Sequence, residues 1–248
     1  MSEKSMKTRK KYGKRFWISL LIILILTPIT LIISARAGGR RYYLNSVIVI
    51  VYAMMPFFIR FERRKPQARE LVTIAVMSAI SVASRAAFIM IPFFKPMSGI
   101  IMITGIAFGP EAGFLTGAVS GFVSNFIFGQ GPWTPWQMFA FGIAGFLAGV
   151  LSKKGYISAE KRGRMAMIGG IVILLIVGPL LDTCTLLTMS SAITVPAALS
   201  IYISGLPVNV VHAAATVLTL YFLGRPILEK LDRIKWKYGM MDGETYEI

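Results

Sequence analysis

Apolar positions in this chain gather into long runs divided by short basic or Gly/Pro-rich stretches, and the runs predict helices at 16–33, 42–59, 71–91, 97–109, 111–128, 135–151, 165–187 and 203–223. Most have the length of a bilayer crossing, whereas 97–109 is short enough for a re-entrant segment. Charge decides between the two. If 97–109 crosses, the loop carrying Lys153, Lys154, Lys161, Arg162 and Arg164 falls on the same side as the basic N-terminus and the tail with Arg225, Lys230, Arg233, Lys235 and Lys237. The excess of Lys and Arg on one side then predicts eight crossings with both termini cytoplasmic. Ala35-Arg36-Ala37 offers a cleavage-like site after the first run, but that run is longer than a signal-peptide core, so the first helix is expected to be retained.

Small residues mark where these helices touch. Ala75, Ala79, Ala83 and Ala87 recur every fourth residue along 71–91 and stack as one stripe. In lipid, where apolar side chains gain nothing by leaving their surroundings, such stripes let two backbones approach. Gly105, Gly109, Gly113, Gly117 and Gly121 repeat the pattern, followed by Gly142, Gly145 and Gly149, and predict close packing around the short segment. Gly109-Pro110 reads as a sharp turn that places Glu111 in the first turn of the next helix, where a carboxylate offsets the helix dipole.

Composition confirms the class and removes several chemistries. With 248 residues, 55% of them hydrophobic, the chain has more apolar surface than one soluble core needs and reads as an all-α, multi-pass protein of the cell membrane. Its net charge of +16 lies in blocks between apolar runs, which fits topology signals and lipid headgroups rather than nucleic acid. Cys184 and His212 are the single cysteine and histidine, so intrachain disulfides, thiolate metal clusters and two-histidine metal motifs are excluded, and neither a metal nor a cofactor is expected. The G-x-x-x-x-G-K-[ST] phosphate loop is absent, so any ATP-driven work must be done by another chain.

The strong polar residues of the helices sit at similar heights. Arg85, Asn125 and Asp182 lie about 20–25 Å above the basic side at 1.5 Å per residue, and Gln137, Asn209 and His212 fall in the outer turns of their helices. They predict a polar pocket beneath two uncharged outer loops, 129–136 with Trp133 and Trp136, and 190–204. Each has a plainer reading as well. Arg85 and Asp182 would neutralise each other, Asn125 would hydrogen-bond between helices, His212 would be a satisfied core histidine, and the tryptophans would belong to an interfacial belt. Two other functions fit parts of the pattern: an ion-coupled carrier using Asp182, and an intramembrane serine protease using Ser120 in Ala118-Val119-Ser120-Gly121 with His212.

Residues from about 70 to 225 resemble the substrate-binding S components of energy-coupling factor (ECF) vitamin transporters. The resemblance rests on the Ala75/Ala79 stripe, on Phe108-Gly109-Pro110-Glu111-Ala112-Gly113 after a short helix, and on the Gly117–Gly121 helix leading to a Trp/Pro loop. It implies a six-helix bundle at 70–225, here preceded by a basic segment with two further helices (1–69) and followed by a cytoplasmic tail (226–248). It also implies that the chain is not an enzyme. Ala75, Ala79 and Ala83 would meet a membrane-embedded coupling subunit driven by two ATPase subunits, and the vitamin would be held by Trp136, Gln137, Asp182, Asn209 and His212. The aromatic loops and the resemblance together favour cobalamin, with riboflavin or another vitamin next.

Overall fold

The computed structural model describes residues 68–189 and 194–240, with isolated positions between 21 and 32, so the expected helices at 16–33 and 42–59 lie essentially outside it. The described residues form helices and no strand. Helix α1 (Ala68–Ala87) buries Ile74, Met77, Ser78, Ser81, Val82 and Arg85 on one side. Its other side exposes Val72, Ala75, Val76, Ala79, Ile80 and Ala83. The helix stops short of the expected residue 91. Turn bonds from Ile89 N–H to Ala86 O and from Ile91 N–H to Phe88 O take over ahead of Pro92, as expected where a proline disfavours helical geometry before it.

Helix α2 (Met97–Phe108) is the centre of the bundle, buried at every position except Ile106. A helix apolar on all sides belongs in an interior. Gly109 alone separates it from α3 (Pro110–Phe128). Gly109 takes φ 95°, open only to glycine at low cost, while Pro110 supplies a preset first helical residue. Helix α4 (Trp133–Lys153) returns antiparallel. The glycine ladder does what its spacing predicts, because a Cβ on Gly113 would lie 2.5 Å from the Gly145 carbonyl oxygen and one on Gly149 would lie 2.6 Å from Pro110 N. Backbone meets backbone along α2, α3 and α4.

Helix α5 (Arg162–Val172) passes through a π-helical turn, Ile173–Val177, into α6 (Gly178–Met189). Helix α7 (Val195–Thr219) passes through a second, Leu220–Gly224, into α8 (Arg225–Tyr238). Two sequence expectations change here. Residues 195–204 are helical rather than loop, because Thr194 Oγ1 accepts the Ala197 N–H at 3.3 Å and Pro196 fits the first turn. The stretch after 225 is an amphipathic helix that buries Leu228 and Leu231. From it Lys235 Nζ donates to Ala107 O at 2.8 Å, satisfying a carbonyl left open at the end of α2.

Ala68–Ala87, Trp133–Lys153, Arg162–Thr188 and Val195–Tyr238 are long and apolar enough to cross a membrane, with Met97–Phe108 apolar but shorter. The expected eight crossings and cytoplasmic termini are therefore not supported. Alternating helix directions gather Arg85, Ser98, Asn125 and Thr134 at one end, called the aromatic end below, and the Lys153–Arg164 loop and α8 at the other, the basic end.

Candidate functional site at the aromatic end

Polar side chains from α1, α2, α3, α4, α6 and α7 form an arc near the aromatic end. On one flank, Arg85 in the last turn of α1 is 7% exposed. Its Nη1 donates to Ser124 Oγ and to Asn125 Oδ1, the latter at 3.1 Å, and its guanidinium lies 4.1 Å from the Phe128 ring centroid. With Oδ1 accepting from Arg85, the Asn125 amide NH2 is free to donate to Thr134 Oγ1 at 3.0 Å. The Thr134 hydroxyl also accepts the Gly131 N–H at 3.2 Å and donates to Gln130 Oε1 at 2.8 Å. This one fully buried hydroxyl therefore ties α3, α4 and their connecting turn together. Thr134→Val, nearly isosteric, removes all three bonds and leaves buried amide groups unpaired, a cost of about 1–3 kcal/mol; thermal unfolding of the purified protein should move down by several degrees.

On the other flank, Asn209 Nδ2 donates to Asp182 Oδ2 at 2.8 Å. Gly205 and Gly178 leave the room for it, since a Cβ on Gly205 would strike the Asp182 carboxylate and one on Gly178 would come 2.5 Å from Asn209 Cγ. Beside this pair, the Thr183 and Tyr202 hydroxyls are 2.7 Å apart. His212, one turn beyond Asn209 on the same face of α7, has Nε2 2.7 Å from Ser98 Oγ at the start of α2 and stands edge-on to Phe141.

Arg85 and Asp182 thus have separate partners and do not form the ion pair that their common height suggested. Ser120 and His212 do not form a dyad either. The Ser120 hydroxyl turns toward Ser78 O at 3.5 Å, while His212 is engaged by Ser98.

The remaining sequence candidates line this end without bonding to the arc. Trp133 Nε1 donates to Gly129 O at 3.2 Å. Trp136 is buried in an apolar cluster with Phe114, Phe139 and Cys184. Gln137 carries a buried Oε1 with no hydrogen-bond partner among the described residues. Metal-binding clusters are absent from the described residues.

By sequence alone Lys95 is a single cation in an outer loop between Pro92 and Pro96. It is partly buried in the turn between α1 and α2, electrostatically coupled to Arg85 and to His212. Burial, reinforced by the Arg85 charge, pushes its ammonium down to about 8. Its placement between Pro92 and Pro96, one residue beyond which the bundle core begins, was the available signal. The turn is itself constrained, with Phe93 at φ 62° and the Phe88 and Phe94 rings 5.1 Å apart.

A family model described as "ECF-type riboflavin transporter, S component" matches residues 65–229. No solved structure matches the chain. The match covers α1 to α7 and the first residues of α8, including every residue of the arc.

Proposed function

Because the chain belongs to the family of ECF-type riboflavin transporter S components, we propose that it is a vitamin receptor that takes up riboflavin, rather than the cobalamin first expected, at its aromatic end and passes it inward through a separate coupling module. As a member of that family it is a multi-pass membrane protein of vitamin transport, a binding subunit rather than an enzyme. The excess of Lys and Arg at the basic end favours an outward-facing aromatic end. Asn125, Gln137, Asp182, Asn209, His212 and Arg85 supply hydrogen-bonding groups there, and Trp133 and Trp136 supply ring surface. A few polar groups set in apolar and aromatic walls are the usual makeup of a small-molecule site.

One observation carries the docking half of this reading. Ala75, Ala79, Ala83 and Ala87 are all exposed, on the side of α1 away from the bundle. A stripe of small side chains with no partner among the described residues suits a helix of another subunit. That partner would be the membrane-embedded coupling subunit, with two ATPase subunits behind it.

Uptake in vesicles tests the whole reading. The purified chain reconstituted alone should bind riboflavin and accumulate none of it, whereas vesicles that also contain the coupling and ATPase subunits should accumulate it on ATP addition. Accumulation by the chain alone, collapsing with an ion gradient and with Asp182→Asn, would replace this reading with an ion-coupled carrier.

A further inference from the structure

Arg85 in the last turn of α1 and Lys95 in the turn that leads to Ser98 lie at the same end of the bundle as His212, which bonds Ser98. They have no ion pair among the described residues. Asp182, the only acidic side chain described at this end, is held by Asn209 across the arc. The Arg85 guanidinium spends Nη1 on Ser124 and Asn125 and rests on Phe128, but its Nε is buried without a hydrogen-bond partner. Two neighbouring cations taken out of water without a counter-charge repel each other and lose hydration, which is costly unless an anion joins them. Arginine and lysine together, with a hydroxyl and an imidazole close by, are a donor set suited to phosphate or carboxylate oxygens.

We propose that Arg85 and Lys95, with Ser98 and His212 beside them, seat the anionic group, phosphate or carboxylate, of the solute bound at the aromatic end. The seat rests on the receptor reading above and narrows it, because riboflavin itself is uncharged near neutral pH and leaves these cations unanswered. A flavin bearing a phosphate answers them. Arg85 and His212 are almost fully buried, so among the described residues neither side chain is presented to lipid.

The test compares riboflavin with riboflavin 5′-phosphate, titrated at pH 7 against the full-length protein in phosphatidylcholine nanodiscs. A hydrogen bond to a charged group is worth about 1.5–3 kcal/mol, so the phosphorylated flavin should bind about tenfold or more tightly. Lys95→Gln should bring the ratio of the two affinities to within about threefold, and Lys95→Arg should restore it. The preference should fade as pH rises past 8, because Lys95 then loses its charge while Arg85 keeps its own; bound phosphate raises the lysine value and moves the loss upward.

Riboflavin bound with no gain from phosphate overturns the seat and leaves the receptor intact, as does a gain that Lys95→Gln fails to reduce. If neither flavin binds, the flavin receptor fails, and inorganic phosphate decides the seat. Tryptophan fluorescence quenched by phosphate but not by chloride at equal ionic strength, and lost in Lys95→Gln, upholds it, and no response overturns it. A preference that vanishes in phosphatidylglycerol discs assigns the cations to a lipid headgroup and also overturns the proposal.

Discussion

Gly145→Val should sharply reduce the amount of folded protein. The position faces Gly113 across α3 and α4, where a Cβ would come 2.6 Å from the Gly113 carbonyl carbon and even closer to its oxygen. The obstruction is backbone, which cannot rotate aside as a long side chain can. Overpacking a well-filled interior costs about 1–3 kcal/mol and occasionally more. With α2, α3 and α4 in mutual backbone contact, the expected cost is at the upper end, about 3 kcal/mol or beyond, against a total stability of about 5–15 kcal/mol. Size-exclusion of detergent-solubilised protein should show the monodisperse peak lost or sharply reduced. Gly163→Ala serves as the contrast. No atom of the described residues lies within 4 Å of its added methyl, so stability should hold or rise by about 0.4–1 kcal/mol through a less flexible unfolded chain. Equal damage from both substitutions would mean that α3 and α4 do not meet along their glycines.

Ala75→Leu combined with Ala79→Trp should uncouple the chain from the coupling module proposed above. Both positions are exposed on α1, so larger side chains meet no neighbour among the described residues and the bundle should be retained. A helix of another subunit brought to the same stripe would be held several ångströms further out, and packing that depends on small residues would be lost. Co-purification with an ATPase-bearing complex should fall below detection, and ATP-driven riboflavin uptake should drop about tenfold or more. Riboflavin affinity should remain within about twofold, because the proposed site lies on the opposite side of α1, where Arg85 is buried. Retained co-purification would remove the alanine stripe from the interface.

Much of this was visible in the sequence, for identifiable reasons. Gly109-Pro110 and the Gly129–Pro132 stretch punctuate α2, α3 and α4 within a few residues of their observed ends, since glycine and proline act through local geometry. The four-residue glycine spacing translated directly into contact because that spacing preserves one helix face. Heights along a helix were also readable, and the polar residues do gather near one end.

Azimuth was not readable. Arg85 and Asp182 share a height but sit on opposite flanks of the arc, because residue counting gives rise along an axis and not the direction in which the helix turns its side chains. Helix ends without glycine were also missed. Pro196 looked like a loop residue until Thr194 proved to be its cap, and the charges between Arg225 and Tyr238 hid the two leucines, Leu228 and Leu231, that anchor α8. Lys95 reads in the sequence as no more than a loop cation between prolines, and only the folded turn places it at the same end as Arg85.

Twelve residues rise about 18 Å, well short of the roughly 30 Å of hydrocarbon that a lone crossing must traverse. Arriving singly at the insertion machinery during synthesis, α2 has no favourable way to remain across the bilayer. The one-residue link at Gly109 ties its fate to α3, so the two should be inserted as a hairpin after α3 has left the ribosome. A nascent chain halted between them should leave residues 97–108 accessible to water-borne labels, and release past Phe128 should hide them.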